Sequence, residues 1–177
     1  MDPKEYIERI QSRAYTVGVI GLGYVGIPLV LEFGSKGFRV LGFDVDPVKV
    51  ELINEGKSYI KHIGPERIEK LVREGLFSAT TDYARLAEVD AILICVPTPL
   101  DHHREPDMRY VVETARSMAP HLRPGHLVVL ESTTYPGTTD ELMRPILESH
   151  GLVAGRDFFL AFSPEREDPG NKKFNTA

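Results

Sequence analysis

A glycine-rich turn directly after an apolar stretch most constrains what this chain can fold into. The apolar run at residues 17–20 leads into Gly21, Gly23 and Gly26, which have the spacing G-x-G-x-x-G, and residues 24–36 have a helical pattern. In such a turn the first glycine permits a sharp bend, the second lets a pyrophosphate approach the backbone, and the third lets the helix pack closely on the strand. The N–H groups at the helix N-terminus attract phosphate. The motif therefore predicts a dinucleotide-binding unit.

A second strand pattern and the acid that ends it support this prediction. Residues 38–43 form the pattern, and Asp44 follows 18 residues after Gly26, near the roughly 20 expected for a carboxylate that binds a ribose. The charge of Asp44 would repel a 2′-phosphate, so NAD is favoured over NADP as the cofactor. Lys49 can reach the same ribose or the adenine edge, although a solvated lysine is the commoner case. The alternative for the whole motif is a glycine turn in another α/β protein.

Composition limits the possible function classes. The chain has 177 residues, which suits one domain, or one domain plus a fragment. Its net charge of −5 gives no support for binding nucleic acid or an anionic membrane. Cys95 is the single cysteine, so no internal disulfide can form, and no apolar run is long enough to span a membrane. We therefore expect a cytoplasmic protein. The adjacent histidines at 102–103 have no matching Cys/His pair elsewhere, and no metal site is expected.

Strand and helix patterns alternate along the chain, which predicts an α/β fold. We expect a Rossmann-type doubly wound parallel sheet of about six strands in the order 3-2-1-4-5-6, with helices on both faces. Residues 3–12 form an accessory helix before the first strand. The expected strands after the first two are residues 76–80, 90–96, 125–130 and 157–162. The expected helices after the glycine turn are those that begin near residues 47, 65, 82, 107 and 139, with Asp107 as an N-cap.

Polar or unusual residues follow the strands wherever a strand ends. In a doubly wound sheet, ligands bind at the carboxyl ends of the strands. Five such loops on one rim predict one site, although polar loops can also serve solubility alone. They are the glycine turn, Asp44, residues 97–99, residues 132–134 and residues 163–165.

From about Thr16 to its end, the chain resembles the UDP-glucose/GDP-mannose dehydrogenase family of nucleotide-sugar 6-dehydrogenases. The run at 163–171 is most similar to the branch that acts on UDP-N-acetylated hexosamines. The motifs that carry the resemblance are GLGYVG at 21–26, DVDPVK at 44–49, VPTP at 96–99, ESTTYPGTT at 131–139 and SPER at 163–166.

The resemblance implies a four-electron oxidation. A C6 alcohol of a UDP-N-acetylhexosamine or UDP-glucose becomes a uronic acid with two NAD, for polysaccharide precursor synthesis. In the family a cysteine attacks the aldehyde and a thioester is later hydrolysed. Thr133 matches a threonine that holds a catalytic water, Glu165 matches an acid/base glutamate, and Glu165 with Arg166 begins the substrate site. The implied cofactor-binding residues are Gly21, Leu22, Gly23, Tyr24, Val25, Gly26, Asp44, Lys49, Val96, Pro97, Thr98, Ser132 and Thr133.

Two departures from the family pattern matter. The nucleophilic cysteine of the family lies in a later half, and Cys95 is no substitute because we expect it to be a buried, inert thiol within a strand. Pro169 stands where the UDP-glucose branch has a second glutamate. We therefore expect a fragment that binds NAD without turnover and exposes apolar surface, from an enzyme that is a homo-oligomer at full length. Its expected parts are an accessory helix at 1–15, an NAD-binding domain at 16–162 and the start of the substrate segment at 163–177.

Two rival functions stay open from the sequence. One is another NAD-dependent class with this fold, such as a 3-hydroxyacyl or 6-phosphogluconate-type dehydrogenase, although the motifs at 132–137 and 163–166 argue against it. The other is a non-enzymatic NAD-sensing module, because a fold does not fix a function. A cysteine downstream in the full reading frame would separate the nucleotide-sugar dehydrogenase from both.

Overall fold

A six-stranded, all-parallel sheet forms the centre of the molecule. The computed structural model describes residues 3–61, 63–100, 102 and 104–164. The strand order is β3-β2-β1-β4-β5-β6, so the predicted α/β fold and its 3-2-1-4-5-6 order are confirmed. The strands are β1 (Val17–Ile20), β2 (Val40–Phe43), β3 (Phe77–Thr80), β4 (Ala91–Ile94), β5 (Leu127–Leu130) and β6 (Phe159–Phe162).

Helices connect the strands and cover both faces of the sheet. Asp46 caps the third helix, since its carboxylate accepts the Val48 N–H at 2.9 Å. Short 3-10 helices cover Tyr83–Glu88, Ala119–His121 and Glu148–His150, and a π-helical stretch at Thr138–Met143 leads into the last α-helix. The α-helices are α1 (Pro3–Gln11), α2 (Gly26–Ser35), α3 (Pro47–Asn54), α4 (Pro65–Arg73), α5 (Arg109–Met118) and α6 (Arg144–Leu147).

Two apolar layers, one on each face of the sheet, make up the core. Alternate residues of each strand point to opposite faces, so Val40 packs under α2–α4 whereas Leu41 packs under α5 and α6. The central strands β1, β2 and β4 are buried along their whole length. This burial on both faces explains why they read as continuous apolar runs. Among the described residues, no helix is long and apolar enough to cross a bilayer.

Several boundaries differ from the sequence predictions by one to three residues, and three of them lie beside the carboxyl ends of the strands. Helix α2 begins at Gly26, because the turn continues through Val25, its N-cap. Helix α5 begins at Arg109 with Met108 as N-cap. Asp107, the predicted N-cap, lies one residue before Met108, and its carboxylate still accepts the Arg109 N–H at 3.0 Å. Strand β4 ends at Ile94, so Cys95 lies just past the strand, although its N–H still bonds to the Ile20 carbonyl at 2.8 Å.

Helix α1 packs across the amino-terminal edge of the sheet. The Tyr6 hydroxyl donates a hydrogen bond to the Gly125 carbonyl, and the Tyr6 ring lies edge-on to Phe159 with centroids 5.9 Å apart. The Arg9 guanidinium pairs with the buried Asp90 carboxylate at 2.8 Å. These contacts fix α1 at the edge opposite to the carboxyl ends of the strands.

Candidate functional site

A cleft of about 710 Å³ opens at the carboxyl ends of β1, β2 and β4. One wall is the glycine turn with the end of β2, and the other is the exposed side of α5. The loops after β4 and β5 form the remaining border. This is the place where doubly wound sheets bind ligands, at the point where the strand order reverses. The start of α3 contributes Lys49. From the loops come Gly21, Gly23, Tyr24, Val25, Asp44, Val45, Cys95, Val96, Pro97, Thr98, Glu131, Ser132 and Thr133, and from the floor and far wall Ile20, Phe43, Tyr83, Tyr110, Glu113, Thr114 and Ser117.

The three glycines of the turn differ in what surrounds them. Gly21 has a φ of +91°, and a Cβ there would lie 2.6 Å from the Cys95 carbonyl oxygen. A Cβ on Gly26 would lie 1.9 Å from the Gly21 carbonyl oxygen. A Cβ on Gly23 would meet no described atom within 4 Å. The first and third glycines are therefore required by the protein itself, whereas the second leaves open space in the cleft.

The start of α2 is available to an anion. Val25 is its N-cap, no described side chain caps it, and its first turn has no acidic residue. The N-terminal N–H groups of a helix carry a partial positive charge, which a neighbouring phosphate can neutralise. An open Gly23 next to an uncapped ten-residue helix fits the pyrophosphate of a dinucleotide.

Asp44 is buried at the end of β2, and protein N–H groups fix its orientation. Its Oδ2 accepts the Leu22 N–H and its Oδ1 accepts the Asp46 N–H, each at 3.0 Å. The Lys49 Nζ lies 3.4 Å from Oδ2. A carboxylate offers about four lone-pair positions, so Asp44 can still accept hydrogen bonds from the hydroxyls of a ribose.

Side-chain hydrogen bonds join the two loops at the far border of the cleft. The Thr98 hydroxyl donates to the Thr133 carbonyl at 2.7 Å. The Ser132 hydroxyl donates to the Val96 carbonyl, also at 2.7 Å. Ser132 is buried whereas Thr133 is exposed. Ser132 therefore holds the loops together, and Thr133 presents its side chain at the rim.

The cleft brings together most of the residues that the sequence nominated. Leu22 and Gly26 are buried behind its surface and shape the turn from inside. Glu165 and Arg166 lie outside the described residues. The predicted residues that line the cleft are Gly21, Gly23, Tyr24, Val25, Asp44, Lys49, Val96, Pro97, Thr98, Ser132 and Thr133.

Sequence reasoning missed the wall that α5 provides. Tyr110, Glu113, Thr114 and Ser117 line the cleft, and their spacing of three and four residues places them on one helical face. That periodicity was available in the sequence as a signal. Opposite them, burial raises the pKa of the Tyr83 hydroxyl; a hydrogen bond with Thr114 opposes this effect, and the negative charge of Asp44 adds to it.

The sequence that forms this sheet and cleft matches a known protein family. A model described as "UDP-glucose/GDP-mannose dehydrogenase family, NAD binding domain" matches residues 15–177. The chain belongs to this family. The match covers the six-stranded sheet and the cleft, and it leaves α1 outside. As the family's NAD-binding domain, the chain has NAD as its cofactor.

Relatives with named activities agree with the family. The chain is 41% identical over 164 residues to the UDP-N-acetyl-D-mannosamine dehydrogenase of Escherichia coli K12, covering 88% of this chain and 38% of the relative. It is 37% identical over 158 residues to the UDP-N-acetyl-D-glucosamine 6-dehydrogenase of Pseudomonas aeruginosa, covering 89% and 36%. The chain thus spans less than two fifths of the length of these relatives.

Solved structures give the same result. The NDP-N-acetyl-D-galactosaminuronic acid dehydrogenase of Methanosarcina mazei superposes with a TM-score of 0.82 at 36% identity, covering 95% of this chain and 38% of that one. The UDP-D-ManNAc dehydrogenase of Pyrococcus horikoshii superposes with a TM-score of 0.79 at 36% identity, covering 88% and 37%. Both are nucleotide-sugar dehydrogenases by name.

Proposed function

We propose that the cleft holds NAD for a nucleotide-sugar 6-dehydrogenase that oxidises the C6 alcohol of a UDP-N-acetylhexosamine to a uronic acid. The observation that carries the proposal is the open space at Gly23 beside a backbone-anchored Asp44. The names of the relatives, which act on UDP-N-acetylglucosamine and UDP-N-acetylmannosamine, support the substrate class. A cytoplasmic location and a homo-oligomeric full-length enzyme belong to the same proposal.

Each wall of the cleft has a role in this proposal. Asp44 accepts hydrogen bonds from the adenosine ribose hydroxyls, and Lys49 contributes from the same side. The Gly23 backbone and the α2 N-terminus hold the pyrophosphate. When bound, NAD supplies the hydride acceptor. The loops with Val96, Pro97, Thr98 and Ser132 border the cofactor, and Thr133 holds a water near the reacting carbon.

The substrate side of the proposal rests on residues at the end of the chain. Glu165 acts as acid and base in hydrolysis, and Glu165 with Arg166 contacts the sugar nucleotide. In the sequence both lie within four residues of Phe162, the last residue of β6, and the carboxyl end of β6 lies on the same rim as the cleft. We expect this chain by itself to bind NAD without turning over substrate, because Cys95, its single cysteine, is buried and the chain spans less than two fifths of the length of the named relatives.

Other dehydrogenases of this fold are less well supported. A Synechocystis arogenate dehydrogenase superposes with a TM-score of 0.52 at 20% identity, which shows a shared fold alone. A non-catalytic NAD sensor would have the same cleft but no downstream cysteine. The full reading frame separates these functions, because a nucleotide-sugar dehydrogenase requires that cysteine.

Calorimetric titration with NAD and NADP tests the cofactor proposal. We expect NAD to bind and NADP to bind far more weakly, because the 2′-phosphate would approach the Asp44 carboxylate. Asp44→Asn keeps one oxygen acceptor for the turn and removes the charge, so it should lower NAD affinity and reduce the preference over NADP. Asp44→Ala should remove the preference. A folded wild-type chain that binds neither nucleotide would overturn the proposal.

The edge strand β6 bears on the oligomer proposal. Phe159 and Phe162 are each about half exposed, at 47% and 48%. No other described strand pairs with the outer side of β6, and exposed aromatic residues at such an edge favour association. We expect the isolated chain to self-associate as its concentration rises. A sharp monomer peak by light scattering over a wide concentration range would contradict this expectation.

A further inference from the structure

The middle residue of the glycine turn is held at both ends of its backbone. The Leu22 N–H donates to the Asp44 carboxylate at 3.0 Å. The Leu22 carbonyl accepts a hydrogen bond from the hydroxyl of Tyr59, which lies 37 positions later in the loop between α3 and α4. The Leu22 side chain is fully buried. The orientation of this residue is therefore set by contacts outside the turn.

This arrangement fixes the direction of the next N–H group. The peptide bonds of the described residues are trans, and in a trans peptide the carbonyl and the following N–H point in opposite directions. Tyr59 packs against the core layer beneath α2–α4, whereas Gly23 lines the cleft. With the Leu22 carbonyl drawn towards Tyr59, the Gly23 N–H points away from the core.

We propose that Tyr59 is a positioning residue that orients the Leu22–Gly23 peptide so that the Gly23 N–H faces the pyrophosphate of NAD. The inference rests on the proposed binding of NAD in this cleft. Tyr59 does not touch the cleft surface, so it acts through the turn. Removing its hydroxyl frees the peptide to rotate, and the N–H is then no longer held ready for the phosphate.

The environment of Tyr59 keeps it a donor. Burial raises the pKa of its hydroxyl, and the negative charges of Asp44 and Asp46 raise it further. The hydroxyl therefore stays protonated through the neutral range, and the Leu22 carbonyl can only accept. The ring packs against apolar neighbours, so a Tyr59→Phe substitution removes the hydrogen bond and leaves the packing in place.

Ligands with and without phosphate test the role of Tyr59. We expect Tyr59→Phe to lower the affinity for NAD and for ADP about three- to tenfold, the range for one lost hydrogen bond. Adenosine keeps the ribose that Asp44 would bind but has no phosphate, so its affinity should change less than about twofold. Calorimetry measures NAD and ADP directly, and competition against NAD measures adenosine.

Tyr15→Phe is the matched control. Tyr15 is a buried tyrosine whose hydroxyl donates to the Asp90 carbonyl at 3.4 Å, at the opposite edge of the sheet. It should leave all three affinities unchanged. If Tyr59→Phe binds ADP as wild type does, or weakens adenosine as much as ADP, the inference is overturned. If the wild type itself fails to bind NAD, the proposed function fails instead, so the two failures are distinguishable.

Discussion

Two buried aspartates occupy opposite edges of the same sheet, and their surroundings differ in kind. Asp44 ends β2 at the carboxyl edge and is 6% exposed; Asp90 precedes β4 at the amino edge and is 5% exposed. Asp44 is held by two backbone N–H groups and one lysine at 3.4 Å. Asp90 is held by the Thr16 N–H and by the guanidinium groups of Arg9 and Arg123.

The difference shows what separates a binding carboxylate from a structural one. Burial acts to raise the pKa of Asp90, but the Thr16 N–H and the two arginines outweigh it, so the pKa is lowered. Two of its three donors are charged, and it faces protein. Asp44 also has three donors, but two of them are backbone N–H groups, and it faces a cleft. Access to the cleft, rather than burial, marks the ligand site.

The largest expected effect separates the two uses of glycine at the carboxyl edge. Gly26→Ala should cost at least about 4 kcal/mol of stability, because its Cβ would lie 1.9 Å from a backbone oxygen. Gly23→Ala should change stability by less than about 0.5 kcal/mol, since its Cβ meets no described atom. Gly23→Ala should lower NAD affinity about 10- to 100-fold, because the added methyl group would occupy the space proposed for the pyrophosphate. Urea unfolding and calorimetry check both variants; a destabilised Gly23→Ala would contradict the comparison.

Asp90→Ala should lower stability by about 3 kcal/mol, because two arginines lose a buried partner. Both arginines are partly exposed, so the effect should lie at the lower end of the range for buried pairs. NAD affinity should stay within about twofold, since the cleft is at the other edge. Urea unfolding measures the first quantity and calorimetry the second. A loss of NAD affinity without a loss of stability would contradict the assignment of Asp90 to structure alone.

A pH dependence should come from the amino edge. His126 is fully buried; its Nδ1 accepts the Arg123 N–H, and its Nε2 contacts the Val89 carbonyl. Burial, and then the charge of Arg123, lowers its pKa from 6.5 to about 4. Because the unfolded chain binds this proton first, stability is fully present above pH 6.5 and falls as the pH drops towards 4, by about 2 to 3 kcal/mol.

Denaturant melts at several pH values test this dependence. His126→Gln should flatten the slope between pH 6.5 and 4 even if the variant is less stable overall. His150→Gln, at an exposed position, is the control and should keep the slope. Asp90 loses its contribution only below its ordinary pKa of 3.8, so the two groups act in different pH windows. If the slope is unchanged in His126→Gln, another titrating group causes the dependence of stability on pH.

The smallest expected effect concerns Lys49. Its ammonium is partly exposed and pairs loosely with Asp44. We expect Lys49→Ala to weaken NAD about threefold at low salt, with the difference shrinking as salt is added. Lys57→Ala removes an exposed lysine that pairs with Glu55 and serves as the control. Equal NAD affinity in wild type and Lys49→Ala would favour the alternative that Lys49 is a solvated surface lysine with no role in NAD binding.

Local patterns predicted most of the fold and the near wall of the cleft. The strands, their order, the glycine turn and Asp44 follow from periodicity and motif spacing, which are encoded by neighbouring residues. The Asp90 cluster joins positions 9, 16, 90 and 123, and the Tyr59 contact spans 37 positions. Such pairs exist only after the sheet has assembled, so no local signal marks them. The wall on α5 lies between these cases. The helical spacing in the sequence shows which residues share one face of α5, but it does not show that this face lines the cleft.

The pairing of β1 has a consequence for how the protein is made. Val17 pairs with Val40 on one side and with Ala91 on the other. During translation β1 emerges first, and its second edge stays unpaired until β4 has left the ribosome. Pairings between distant segments form slowly, and unpaired apolar strands invite aggregation. We expect nascent chains in which β4 has not yet left the ribosome to depend on chaperones, and those in which β5 has also emerged to become resistant to protease.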